Sequence, residues 1–366
     1  MFERRLYFYV DWWLLGAVLI LCALGVMMIY GTTYNPTTEK VGTQFYTQLY
    51  ALAIAVVAFV ICLSIDYRTL SNYSLFIYVG VVGLLIYALF FGVEAGGARR
   101  WISFGPFNLQ PSEFAKIGLA LVLAIFFAEN RRGTTTIGDL LIGMGFVAVP
   151  VVLIAREPDL GTAVTLVIVS LGIMYVIDLR VRVLAVLAGL LTLIVIVTWA
   201  YALADYQRSR IFTFFDPARD ELGAGYQQIQ ARVTVGSGGL TGKGFLQGTQ
   251  GQYKFLPVAH NDFIFSVLAE EQGFLGVLVA LSLYLFVIVR GFDAARLSKD
   301  RLGLYLVMGI MAPFSFQVIY NITMSAGLAP VKGLPLPLMS YGGSSIIATL
   351  VGFGLVLNVR MRRFAN

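Results

Sequence analysis

Long apolar stretches separated by short polar interruptions run the length of the chain. Stretches able to cross a hydrocarbon core of about 30 Å recur at residues 13–31, 46–65, 73–92, 114–129, 140–155, 160–178, 182–203, 263–289, 303–324 and 344–359. In lipid every backbone polar group must be paired within the protein, which a helix achieves on its own. The pattern therefore predicts an all-α polytopic membrane protein of about ten transmembrane helices. The first stretch follows Arg4 and Arg5 and has no small-residue cleavage pattern, so it reads as an anchor rather than a removed leader. The whole chain, 1–366, reads as a single integral membrane domain.

Two interruptions break the rhythm. Residues 205–262 form the largest polar segment, and nine glycines fall between 223 and 254, far above the average usage of about 7%. Within it Tyr226, Ile229 and Val233 recur at i, i+3 and i+7, the spacing of a short interfacial helix. Residues 329–345 hold three prolines and three glycines in a largely apolar setting. Such a sequence cannot form a regular helix, and irregular backbone at membrane depth is tolerated only when packed in protein or lining a cavity. It reads as a re-entrant segment.

Composition narrows the class. Hydrophobic residues make up 58% of the chain and charged residues 13%, against roughly 45–50% and about 25% in soluble domains. Mean hydropathy is +0.82. A disordered chain is excluded, and a soluble enzyme would lack the polar side chains to cover itself. The single histidine, His260, excludes a His-rich zinc site. Cys22 and Cys62 both sit in apolar runs and read as small buried hydrophobes rather than a disulfide.

The net charge of +6 reflects orientation, not affinity for nucleic acid. With a cytoplasmic N-terminus, the inner side carries 14 basic residues: Arg4, Arg5, Arg68, Arg131, Arg132, Arg180, Arg182, Arg290, Arg296, Lys299, Arg301, Arg360, Arg362 and Arg363. The short outer loops carry 5: Lys40, Arg99, Arg100, Arg156 and Lys332. Both termini are therefore expected in the cytoplasm. Segment 205–262 becomes a large extracytoplasmic loop, and 329–345 re-enters from the outer side.

Candidate chemistry gathers on that side. Asp262 closes the glycine-rich loop just before an apolar span; it reads either as a helix N-cap or as a general base in a partly shielded site. Glu270 and Glu271 follow among apolar residues, so at least one should meet a polar cavity or a cation. Glu113 and Lys116, at i and i+3, share a helical face as an internal ion pair or as part of an anion site. Arg99 and Arg100 lie beside them in sequence, with planar guanidinium forks suited to phosphate. Asp159 opens another span, as a cap or as a site residue. Glycine motifs for dinucleotides or nucleotide phosphates nearly match around 236–244 and fail, because Thr241, Ser237 and Gly244 occupy positions those motifs reserve.

The stretches GGARRW at 96–101, QPSEFAK at 110–116, EPDLGTA at 157–163, VGSGGLTGKGFLQGTQ at 235–250, HNDFIF at 260–265, AEEQGFLG at 269–276 and PLPLMSYGGSS at 335–345 together resemble the SEDS family of shape, elongation, division and sporulation proteins. The forms GFLQGTQ and PLPLMSYGG are closest to its elongation branch, with the division branch as the alternative. Asn261 stands where threonine is common in the family. The resemblance implies a peptidoglycan glycosyltransferase that polymerises lipid II into β-1,4-linked strands at the outer face of the bacterial cytoplasmic membrane. It carries the family's essential loop aspartate onto Asp262, and its membrane carboxylate and lysine onto Glu113 and Lys116.

Lipid II presents a sugar hydroxyl, a diphosphate leaving group and a polyprenyl tail. These call for a base, cations and an apolar groove. Arg99, Arg100, Arg208, Arg210, Lys243, Asp159 and Ser344 complete the candidate substrate contacts. A divalent cation, Mg2+ or Mn2+, and a class B penicillin-binding protein within an elongation complex are the implied cofactor and partner. A lipid II flippase and a scaffold for the wall-synthesis complex are the competing readings.

Overall fold

The computed structural model describes residues 6–35, 38–95, 98–105, 107–129, 135–177, 189, 205–220, 223–252 and 255–364. The helices are α1 (Trp12–Thr33), α2 (Thr43–Ser64), α3 (Tyr67–Asn72), α4 (Ser74–Phe91), α5 (Pro111–Ala128), α6 (Ile137–Arg156), α7 (Leu160–Val176), α8 (Asp205–Phe215), α9 (Ala224–Ser237), α10 (Thr249–Gln252), α11 (Ile264–Arg296), α12 (Arg301–Ser325) and α13 (Gly343–Met361). Eight of them are long and apolar enough to cross a membrane, and α7 is a shorter apolar helix. Nine predicted spans thus have their helices; the tenth, 182–203, falls outside the described residues except for position 189.

Local chemistry sets the ends. Asp11, Asp159 and Asp300 each accept a hydrogen bond from the backbone N–H three residues on, satisfying a donor that the first helical turn leaves over. Thr136 and Asp139 form a reciprocal capping box on α6. Pro111 begins α5, where its missing N–H costs nothing.

Burial sorts the helices into layers. In α13, 89% of the most apolar stretch is buried, and in α5 and α12 67%, against 22% in α2 and α4. The bundle is therefore built around α5, α12 and α13, with α13 lying along α2, and α12 between α5 and α7. The outer helices turn Phe76, Phe90, Leu141 and Leu285 outward, all more than half exposed. An apolar rim of this extent fits lipid and not water.

The polar interruptions add five short strands to the helical plan. β1 (Tyr34–Asn35) pairs with β2 (Lys40–Val41). β3 (Val93–Ala95), β4 (Ala98–Phe104) and β5 (Phe107–Leu109) form an antiparallel meander between α4 and α5. The predicted interfacial helix is α9. Its buried face carries Gly225, Gln228, Ala231 and Thr234, while Ile229 and Val233 face outward.

The opposite end of the bundle carries an ionic belt. Asp11 meets Arg360 at 3.0 Å and Arg290 at 3.6 Å, Arg68 meets Asp300 at 2.8 Å, and Arg362 meets Asp66 at 3.1 Å.

Candidate active site

The proline- and glycine-rich segment between α12 and α13 supports the site. Val331, Leu334, Leu336, Leu338 and Met339 are buried, and the backbone around them finds partners outside any regular element. Tyr320 Oη donates to the Pro330 carbonyl at 2.8 Å, Tyr284 Oη to the Pro337 carbonyl at 2.7 Å, and Leu336 N–H to Ser340 Oγ at 2.9 Å. Gly342 N–H donates to Gln48 Oε1 at 3.1 Å. These bonds let a non-helical chain persist within the bundle. Val258 and Leu338, neither of them glycine, take φ of 54° and 70°, a conformation costing about 1–3 kcal/mol each and held by the surrounding structure.

Asp262 stands on this platform. α11 starts at Ile264 with Phe263 at its N-cap and no capping side chain, so the Asp262 carboxylate is not used as a helix cap. The Tyr341 N–H donates to the His260 carbonyl at 2.9 Å, tying the Asp262 loop to the re-entrant segment. A Cβ placed on Gly333 would lie 3.6 Å from Asp262 Oδ2, so the carboxylate looks across bare backbone. Burial raises its pKa to about 7, with the Arg210 guanidinium pulling it down and the Asp159 charge adding to the rise.

A second group closes around the start of α7. Arg100 Nε donates to the Glu157 carbonyl at 2.7 Å and Nη2 to the Pro158 carbonyl at 2.9 Å, while Nη1 stands 3.9 Å from Asp159. Asp159 caps α7 by accepting from Thr162 N at 3.1 Å, and also accepts from Thr162 Oγ1 at 2.9 Å. It is both a cap and a charge felt at Asp262. Glu157, which the sequence did not single out, is buried; burial first, then the Asp159 charge, raise it to about 7 against the pull of Arg100. Ser344 joins α13 to β5, accepting from Gln110 N at 2.8 Å and donating to the Asn108 carbonyl at 3.2 Å.

Glu113 and Lys116 form the pair their spacing predicts, at 2.8 Å. Lys116 Nζ also donates to Gln317 Oε1 at 3.3 Å. The three polar groups line a cavity of about 40 Å³ whose remaining wall is mostly apolar, including Ile310, Pro313, Phe314 and Phe353, with Thr349 among them. Pro313, inside α12, has no N–H for the Gly309 carbonyl, and both residues border this cavity.

The remaining basic residues divide. Lys243 is held by Glu270 Oε1 at 2.6 Å and donates to Thr249 Oγ1 at 3.0 Å. Glu270 also accepts from the Thr249 and Gln250 N–H groups, which resolves the cost of burying it. The loop after α9 is stitched to α11 by backbone bonds from Lys243 and Gly244 to the Glu270 and Glu271 carbonyls, and from Phe274 to Gly239. Arg99 is exposed and lies 3.6 Å from Glu94. Arg208 is half-buried and Arg210 exposed, with Arg210 acting electrostatically on Asp262 and Lys332.

Among the described residues no group of three His, Cys, Asp or Glu side chains is placed to hold a metal. Asp159 and Asp262 each have an arginine as a charge partner.

Fold and site together define a helical membrane protein with a titratable carboxylate and several cations gathered at one end. A sequence profile for FtsW, RodA and SpoVE, described as cell cycle protein, matches residues 12–364. Peptidoglycan glycosyltransferase MrdB of Escherichia coli K12 is 36% identical over 350 residues, 96% of this chain and 92% of that protein. The probable peptidoglycan glycosyltransferase FtsW of Geobacter metallireducens is 35% identical, over 95% of this chain and 94% of its own. A chain from a peptidoglycan synthase complex superposes with a TM-score of 0.83 at 32% identity, covering 98% of this chain and 99% of that one. The rod shape determining protein RodA of Thermus thermophilus superposes with a TM-score of 0.72 at 29% identity, covering 98% of each chain. The chain belongs to the FtsW, RodA and SpoVE family, the SEDS proteins that its motifs resemble.

Proposed function

We propose that the protein is a peptidoglycan glycosyltransferase that polymerises lipid II at the outer face of the bacterial cytoplasmic membrane, with Asp262 as its base. The observation that carries the assignment of the base is the carboxylate itself. It is half-buried on an irregular platform, is not a helix cap, and has a pKa of about 7. A base with that value is ready to accept a proton at neutral pH.

In this reading Asp262 takes the proton of the acceptor sugar's 4-hydroxyl as that oxygen attacks the anomeric carbon of the donor. The new C1–O4 bond forms as the bond from C1 to the diphosphate oxygen breaks, and the polyprenyl diphosphate leaves with the electron pair. Direct displacement inverts the α-linked donor to a β-1,4 link. Arg100, Arg210 and Lys116 supply positive charge toward the departing diphosphate. The apolar walls beside Lys116 suit the first part of the polyprenyl tail. A divalent cation belongs in this reading as a companion of the diphosphate rather than of a protein ligand set.

The elongation role rests on the sequence forms around 245–250 and 335–343 together with the structural likeness to a rod shape determining protein. The partner we propose is a class B penicillin-binding protein, the transpeptidase of an elongation complex. The ionic belt of Asp11, Arg68, Arg290, Asp300, Arg360 and Arg362 is the cytoplasmic end, where both termini lie, and the Asp262 end is extracytoplasmic.

The test is glycan polymerisation by the purified protein in detergent, with labelled lipid II. Polymer formation with the parent, and none with a folded Asp262→Ala variant, is the expected result. Because detergent offers no second compartment, polymer also separates this reading from a flippase. Near-normal turnover by Asp262→Ala would place the base elsewhere.

A further inference from the structure

Two buried amides on α12 reach the two halves of the site. Asn321 is fully buried, and its Nδ2 donates to the Asp262 carbonyl at 2.9 Å and to the Leu334 carbonyl at 2.8 Å. Both acceptors are main-chain carbonyls, so only one orientation of the amide satisfies them. Four residues earlier Gln317, also buried, accepts from Lys116 Nζ at 3.3 Å. Residues at i and i+4 lie on one helical face, about 6 Å apart along the axis. One face of α12 therefore holds the Asp262 loop, the re-entrant segment and the cation of α5 at fixed intervals.

Amide side chains inside an apolar span carry a desolvation cost that leucine would not, unless their bonds are needed. Anchoring alone does not explain Asn321. The re-entrant segment is already fastened by Tyr320, Tyr284, Ser340 and Gln48. Among its described bonds, Asn321 alone joins that segment to the residue carrying the base.

We propose that Asn321 and Gln317 are positioning residues for polymerisation, with α12 acting as the spacer that sets the Asp262 carboxylate against the Glu113–Lys116 pair. The proposal rests on the reading of Asp262 as the base. A displacement of about 1 Å in a reacting group can cost about 100-fold in rate, and loss of either amide frees one end of the spacer.

The experiment uses the full chain purified in detergent, with labelled lipid II. Turnover, KM, the pH dependence of kcat/KM and the melting temperature are measured for Asn321→Ala, Gln317→Leu, Gln317→Glu and Asp262→Asn. Asn321→Ala is expected to lower kcat about 100-fold with KM little changed. It should also displace the acid limb of the pH profile, because Asp262 shifts relative to Arg210 and Asp159, the charged groups acting on it. Gln317→Leu should lower kcat by a smaller factor, and Gln317→Glu, which keeps an acceptor for Lys116, should restore part of it.

A folded Asn321→Ala with parental kcat and an unmoved acid limb overturns the proposal, whatever its melting temperature. If that variant does not fold, Asn321→Asp, which keeps the shape but can no longer donate to both carbonyls, is read the same way. Failure of both to fold assigns Asn321 to architecture and overturns its positioning role. Turnover retained by Asp262→Asn sinks the underlying reading of the base. An inactive Asp262→Asn beside a parental Asn321→Ala sinks the spacer alone.

Discussion

Asp262 titrates near neutrality because burial and the two charges acting on it do not cancel. Removing the Arg210 charge takes away the influence that lowers its pKa, so Arg210→Ala should move the acid limb of kcat/KM to higher pH. Asp159→Asn removes the charge that raises it and should move the limb to lower pH. Opposite displacements, read from lipid II polymerisation across pH, test the electrostatic arrangement; equal displacements in one direction would refute it. The same residue affects stability with a fixed sign. Its carboxyl rises from 3.8 to about 7 on folding, so its favourable contribution is fully present below 3.8 and is lost as pH rises through 7. Asp262 was legible in the sequence because a carboxylate at the foot of an apolar span is conspicuous. Asn321 and Gln317 were not. The sequence shows only two amides one turn apart in an apolar stretch, and their partners come from other elements that no local spacing can point to. Ser344 and Lys243 show the converse, since polar residues within the candidate motifs proved to be engaged with the protein itself.

Helix boundaries follow the apolar pattern closely, because length and capping residues determine them: 303–324 against Arg301–Ser325, and 344–359 against Gly343–Met361. The break in α11 was less visible. Gly273 takes φ 65° and ψ −166° inside an otherwise continuous helix, and a Cβ there would clash with the Gly242 backbone nitrogen. Its cause is the loop after α9 bonding to the opened turn, a tertiary event without a local signature. Gly273→Ala should therefore cost at least about 1–3 kcal/mol from backbone strain alone, seen as a lower melting temperature and faster proteolysis between α9 and α11. Unchanged protease resistance would contradict the lock. The meander β3–β4–β5 was hidden for another reason: its two outer strands have three residues each and carry too little alternation to register. On α5, removing one member of the Glu113–Lys116 pair leaves a buried charge, costing about 3–5 kcal/mol. Glu113→Gln with Lys116→Met should recover the stability yet remain inactive if Lys116 meets the diphosphate. Melting temperature and polymerisation of both singles and the double decide it; an active double would leave the pair as architecture.

Across the molecule, charge divides between two ends. An impermeant thiol reagent applied to intact cells should label Leu240→Cys after Cys22 and Cys62 are replaced, because Leu240 is 73% exposed at the Asp262 end. Labelling only after lysis would reverse the orientation. Gly248 is the wrong place for such a probe, since a side chain there would press on Glu270 and Glu271. The belt at the other end also has a consequence for biogenesis. Asp11 caps the first helix, and Arg360, its nearer partner at 3.0 Å, stands near the end of the last. During synthesis the first helix enters the membrane long before that partner exists, and Arg290 reaches Asp11 only at 3.6 Å. A ribosome halted before position 360 thus leaves an intermediate whose oldest helix has Arg290 but not its nearer counter-charge.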